Sequence, residues 1–365
     1  MRRLLGAAVS AVLFASLAAC GGRAGGSEVG DGVTQPPLSS LEPSQAPLDI
    51  EGPSTAMMTD RHVDPVESDE EQQLPATVTS HLRSGDVEVT VTDTSRIVAF
   101  DMSGSIAATL WGLGLGDRLV ARDRSTDFPG ADDLPLIMSE GHAINAEAVM
   151  QQKPTLIITD GGVGPRDVVE QLADTGVPVV FVENEASFDG AAQLARDVGQ
   201  IVGLPRTGEK LAQRIEGEIA DVKAEIRRFV PEDEDERLRM VFLYVRGNSG
   251  VYYLFADDTG VGDLVDALGG IDVARELGWT SMQPLTDEAM VKAAPDLILL
   301  MTHGLESAGG VDGLLAEKPA IALTPAGQKK RLVDIADGDA LSFGPRSASI
   351  VEALARAVYV PEAQK

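Results

Sequence analysis

Apolar and polar positions change rhythm several times along the chain. Residues 1–19, MRRLLGAAVSAVLFASLAA, are an apolar run behind a basic start. The run is too short and too rich in Gly and Ala for a spanning helix, and reads as a removable secretion signal. From Gly21 to about Glu71 apolar residues lie scattered, without period, among Gly, Ser, Pro and Asp. That is the pattern of a disordered tether over residues 20–75. Thr77–Thr92 predicts short strands around a Ser84-Gly85-Asp86 turn. From Arg96 strands and helices alternate: RIVAF, LVARD, TLIITD and VPVVFVE read as strands, and SGSIAATLWGLGL, INAEAVMQQ and PRDVVEQLADTG as helices. Such alternation implies a parallel sheet covered by helices, a first lobe over residues 76–200. Thr207–Phe229 is helical without interruption. At ~1.5 Å per residue it is roughly 34 Å long, enough to bridge two lobes, and it sets an interdomain helix within residues 201–231. Alternation resumes at MVFLYVRG and fills residues 232–365.

The second half repeats the first. INAEAVMQQKPTLIIT, Ile144–Thr159, aligns with LTDEAMVKAAPDLILL, Leu285–Leu300, so that Glu147 falls on Glu288, Ala148 on Ala289, Pro154 on Pro295 and Ile157 on Ile298. Upstream, SGSIAATLWGLG and DTGVGDLVDALGG stand in the same order. Two similar α/β lobes, Rossmann-like with parallel sheets and joined by one long helix, leave a cleft between them, and ligands favour such interfaces.

Composition narrows the chemistry. Cys20 is the only cysteine, and Leu17-Ala18-Ala19-Cys20 resembles the bacterial lipobox, in which the thiol is acylated and becomes the first residue. An acylated Cys20 would hold the protein at the bilayer and leave no thiol for a disulfide, a metal or a nucleophile. The formal charge of −27 argues against nucleic acid or anionic head groups as partners. No H-E-x-x-H, G-x-S-x-G or G-x-x-x-x-G-K-[ST] occurs, so an enzyme is not expected. GLGLGD at Gly112–Asp117 follows a helix rather than opening one and reads as a C-cap.

Four histidines remain. His62 reads as a tether residue and His81 as an exposed strand residue; His142 stands in the loop SEGHA and His303 in LLMTHG. In LYVRG, Tyr244 and Arg246 are two apart on a strand and share a face. A guanidinium beside a phenol favours the phenolate, a hard oxygen donor suited to ferric iron. Without further context the pair also fits a strand-end tyrosine next to a surface ion pair.

The lipobox, the paired helix-Pro-strand units with their glutamates and the single linking helix resemble the substrate-binding lipoproteins of metal-chelate ABC importers. These carry siderophores, cobalamin or haem on the class III periplasmic-binding-protein fold. The resemblance covers Arg96 to about Val358, and LYVRGNSGVYYLF, DTGVGDLVDALGG, MTHGLESAGGVDGLL and FGPR are similar to the haem-binding, HmuT-type branch. It implies a monomeric extracytoplasmic receptor, lipid-anchored to the cell membrane. Ferric haem would be taken up in the cleft and delivered to a permease dimer with its ATPase. It also implies His142 and Tyr244 as axial ligands, Arg246 tuning the tyrosine, and Met301 packing on the macrocycle, a position an ordinary core methionine would also fill. His303, two residues further on, could face the same cleft as a substitute ligand, and Arg346 either holds a haem propionate or braces a loop. Glu147 and Glu288 would meet arginines of the permease. The competing expectations are a siderophore or cobalamin receptor on the same scaffold, a lipid-anchored adhesin, and a bare-metal receptor.

Overall fold

The computed structural model describes residues 35–43, 45–139 and 143–364 of the chain. Strands β1 (Ser54–Ala56), β2 (Ala76–Leu82) and β3 (Gly85–Val91) precede the first lobe's main sheet. That sheet is β4 (Ile97–Phe100), β5 (Leu119–Ala121), β6 (Leu156–Thr159) and β7 (Val179–Phe181), ordered β5-β4-β6-β7 and parallel throughout. Every residue of β4, β6 and β7 is buried, as a sheet covered on both faces requires. Ile97, Ala99, Ile158 and Val180 pack with α1 (Ser105–Gly112) and α4 (Phe188–Ile201). Val98, Phe100, Ile157 and Phe181 pack with α2 (Ala146–Gln151) and α3 (Arg166–Leu172) on the other face. Gly114, at φ 80°, ends the turn after α1 as GLGLGD predicts. β2 and β3 form an antiparallel hairpin held to β7 through Ser80, whose hydroxyl accepts from Phe181 N at 2.9 Å.

α5 (Pro205–Ile226) is the long linking helix, two residues earlier at its start and three shorter at its end than its sequence suggests. Pro205 sets its first turn, where the missing N–H costs nothing.

The second lobe holds β8 (Arg239–Arg246), β9 (Val251–Leu254), β10 (Ile271–Asp272), β11 (Gln283–Pro284), β12 (Leu297–Met301) and β13 (Leu332–Ile335). Its sheet runs β1-β13-β12-β8-β9-β11, with β10 also on β8. β9 and β11 are antiparallel additions; β1, β13, β12, β8 and β10 are parallel. Around it lie α6 (Val261–Ala267), α7 (Val273–Glu276), α8 (Asp287–Ala293), four short helices between residues 302 and 328, and a C-terminal helix, Ser347–Tyr359. α8 and β12 stand to this lobe as α2 and β6 stand to the first.

The stretch expected to be disordered is the main correction. From residue 35 it is built into the fold, and β1 supplies the edge of the second lobe's sheet, pairing parallel to β13. Its scattered apolar residues Leu38, Ile50, Ala56, Met58 and Val63 are buried. Arg331, itself buried, donates to Gly52 O, Ser54 Oγ, Ala357 O and Val358 O, tying this strap to the C-terminal helix. The strap then crosses to the first lobe. Val66 N donates to Gly112 O at 2.8 Å, and Glu70 accepts from Thr207 N (2.7 Å) and Thr207 Oγ1 (2.8 Å) at the start of α5. The lobes are thus linked twice, by α5 and by the strap. Residues 1–34, with the expected signal and Cys20, lie outside the described residues.

Candidate functional site

The two lobes meet over a cavity of about 300 Å³. Its first-lobe wall is Met102, Ser103, Asp160, Asn184 and Ala186; the second lobe adds Tyr244, Phe255, Thr259, Met301, Asp337 and the run Gly338 and Leu341–Phe343. Most of the polar groups stand where parallel strands end, because there each chain leaves a covered sheet and turns toward the opening. Asp160 follows β6 and Asp337 follows β13; Asp101 and Asp123, after β4 and β5, are fully buried and do not line the cavity.

Tyr244 lies in the cavity on β8, opposite Tyr253 of β9. Its ring is covered on one side by Phe255, at 5.4 Å between centroids and 12° between planes, and Phe255 stacks in turn on Phe242 at 5.5 Å. The Arg246 guanidinium lies over the Tyr244 ring, Cζ 4.6 Å from its centroid. The shared face expected of residues two apart on a strand is therefore real, and the arginine meets the π-face of the phenol. Arg246 Nη1 donates to Val245 O at 2.8 Å, and Nη2 reaches Asp337 Oδ1 at 3.3 Å. Met301 ends β12 and lines the cavity beside this group.

Three carboxylates converge on the first-lobe side. Asp101 accepts from Ser103 N, Ser105 N and Ile106 N and so caps α1. Asp123 accepts from Asp101 N (2.9 Å) and Thr126 N (2.7 Å). Burial and the charge of Asp101 push the Asp123 carboxyl up to about 7, and the same two causes push Asp160 up to about 6. Asn184 Nδ2 donates to Asp160 Oδ2 at 3.0 Å, which fixes this carboxyl at the cavity wall.

Several expected site residues fall elsewhere. Arg346 is buried away from the cavity lining, paired with Asp339 and set 5.4 Å from the Phe128 ring centroid. Its place is the back of the lobe interface: Arg61 of the strap reaches Asp127 Oδ1 of the first lobe at 2.8 Å and Asp339 Oδ2 of the second at 3.2 Å. His303 is also off the cavity. β12 stops at Met301 and a helix begins at Thr302, so the two-residue alternation that would carry His303 to the same face ends too early. Its side chain is 77 % exposed. His81 pairs with Asp86 on its hairpin and His62 with Asp60 on the strap. His142 lies outside the described residues; the flanking Ser139 N and Ala143 O are bonded to each other at 3.0 Å. Glu147 and Glu288 are both exposed and hold the same position on α2 and α8, each one residue into a helix capped by Asn145 or Thr286. Sequence reasoning missed Asp160, Asp337, Phe255 and Met102. For the two aspartates the signal was present, since each is among the first polar residues after a buried parallel strand.

Residues 101–337, well over half of the chain, match the model of a family described as periplasmic binding protein. A solved structure of the haem-binding protein HmuT is 37% identical and superposes with a TM-score of 0.80, covering 87% of this chain and 100% of that one. HmuT has also been solved as variants in which a histidine, a tyrosine and an arginine two positions after that tyrosine are replaced by alanine. An ABC transporter substrate-binding lipoprotein of Bacillus subtilis, YvrC, is 24% identical over 68% of this chain and 76% of its own. A cobalamin-binding protein of Halobacterium salinarum is 25% identical over 70% of this chain and 66% of its own.

Proposed function

Because the chain belongs to the periplasmic binding protein family and is a substrate-binding component of an ABC importer, we propose that its cargo is ferric haem, bound between the lobes. The observation that carries this reading is Tyr244: a phenol at the end of a rigid strand, inside the interlobe cavity, stacked between Phe255 and the Arg246 guanidinium. Ferric haem iron accepts a tyrosine oxygen as an axial ligand, and Tyr244 offers one inside the cavity. The cavity's apolar side chains, Met102, Phe255, Met301, Leu341 and Phe343, suit a flat macrocycle.

In this reading Tyr244 is one axial ligand and His142, from the loop closed by Ser139 and Ala143, is the other. Arg246 orients and tunes the tyrosine, and Met301 packs against the ring. Arg346 has no part, because its guanidinium is committed to Asp339. Glu147 and Glu288, matched in the two lobes, dock on the permease dimer, and an acylated Cys20 holds the receptor at the membrane as a monomer.

The test is a haemin titration of the purified protein, followed by visible absorption. A saturable Soret band that shifts in both His142→Ala and Tyr244→Ala is expected. Unchanged spectra in the two variants would remove the ligand assignment. The Halobacterium relative makes cobalamin the second reading; saturable binding of cobalamin together with no Soret shift on haemin would replace haem by it.

A further inference from the structure

An arginine is a poor fixture on its own. Its side chain carries about 2 kcal/mol of rotamer entropy, so stacking on one exposed ring face does not hold it. The bond from Arg246 Nη1 to Val245 O reaches only the carbonyl of the preceding residue. The remaining polar restraint among the described residues is Asp337, whose Oδ1 takes Arg246 Nη2 at 3.3 Å. The other oxygen of Asp337, Oδ2, accepts from His303 N at 3.0 Å, so the carboxylate is already oriented by the backbone before the arginine arrives. The loop around it is pinned as well. Asp339, two residues on, pairs with Arg61 and Arg346, and a Cβ on Gly338 would meet the Asp127 carboxylate at 2.7–2.9 Å.

Stability does not account for this arrangement. Arg246 and Asp337 are 34% and 33% exposed, and pairs so open to water contribute about 0–1 kcal/mol. A carboxylate in the wall of a cavity that receives a carboxylate-bearing ligand is unfavourable for binding unless its charge is committed elsewhere. Here it is committed to Arg246.

We propose that Asp337 is a positioning residue for the iron-ligating tyrosine: it holds Arg246 against the open face of Tyr244 and keeps that guanidinium from moving to other anions in the cleft. This rests on the haem reading above. Asp337→Asn is the informative change, because the amide keeps an acceptor for His303 N while losing the charge that holds Arg246.

The experiment uses the full exported protein loaded with haemin and measures haemin loss to excess apomyoglobin, together with the visible spectrum of the ferric complex. Asp337→Asn is expected to lose haemin about tenfold faster, equivalent to about 1.4 kcal/mol. Its ferric spectrum should move toward that of Arg246→Ala, its urea midpoint should stay at the wild-type value, and Asp337→Glu should restore most of the retention. In an Arg246→Ala background the same substitution should no longer speed haemin loss, since its partner is gone and the freed carboxylate is itself unfavourable to the ligand. An effect below fivefold, or one of equal size with and without Arg246, overturns the proposal. Failure of the wild-type protein to give a Soret band overturns the haem reading instead, so the two failures are told apart.

Discussion

Asp339→Ala tests how the lobes are held together behind the cavity. Asp339 is 3% exposed and pairs with Arg346, which is 2% exposed, and with Arg61 of the strap. Arg61 keeps Asp127 as a partner after the substitution, whereas Arg346 has no second ion pair among the described residues. Two of its guanidinium nitrogens, Nε and Nη2, already lack a hydrogen-bond partner among the described residues, so loss of Nη1's carboxylate leaves a buried cation with the Phe128 face and the more distant charge of Asp127. Breaking a buried pair from one side costs about 3–5 kcal/mol, because the surviving charge stays desolvated. With an m-value of about 3 kcal/mol/M in urea, the midpoint should fall by about 1–1.7 M. Asp86→Ala, which removes an exposed pair with His81, serves as the control and should move it by less than about 0.3 M. The double variant Asp339→Ala/Arg346→Met should regain at least half of the loss, since an apolar chain of similar length needs no counter-charge. A midpoint for Asp339→Ala within 0.3 M of wild type, or a double variant no better than the single one, would refute the assignment of Arg346 as a structural arginine.

Other outcomes follow from the same geometry. Asp123 and Asp160 have folded-state values of about 7 and about 6, above the ordinary carboxyl value, so between pH ~4 and ~7 the folded protein holds protons that the unfolded chain releases. Urea resistance should therefore rise as pH is lowered from 7.5 to 5.5, and a fall over that range would contradict the raised values. Gly199 and Gly208 bring α4 against α5, and a Cβ on Gly208 would lie 2.7 Å from Ala195 O; Gly208→Val should cost about 1–3 kcal/mol in denaturant titration. Glu147→Ala and Glu288→Ala should leave the haemin spectrum unchanged and abolish stimulation of the permease ATPase, and preserved stimulation in both would exclude those glutamates from docking.

The lobes, their internal repeat and the linking helix were legible because each rests on local periodicity: buried parallel strands read as short apolar runs and α5 as an unbroken helical pattern. Tyr244 and Arg246 were legible for the same reason, since strand alternation alone puts them on one face. The strap was not. Leu38, Ile50, Ala56, Met58 and Val63 have no common period, and they are buried through tertiary contacts with cores formed further along the chain, Leu38, Ala56 and Met58 in one cluster and Val63 in another. Arg346 braces its loop through Asp339 rather than facing the cleft; its sequence left both readings open, because nothing local distinguishes an arginine facing a cleft from one facing a buried aspartate. His303 was misplaced by a strand that ends two residues sooner than alternation needs. The aromatic sandwich of Tyr244 depends on Phe255, brought alongside by an antiparallel return of β9 that the parallel reading of this lobe does not contain.

The pairing of β1 with β13 also says something about biosynthesis. Thr55 finds Asp334 only 279 residues further along the chain, which at ~5–20 residues per second takes roughly 15–55 s of translation. Throughout that wait the amino-terminal stretch has no strand to join. A conventional β-sequence left unpaired so long would invite aggregation, whereas a Gly-, Ser- and Pro-rich one with few, isolated apolar side chains does not. The composition that resembles a mere spacer thus suits a segment that is made first and docked last.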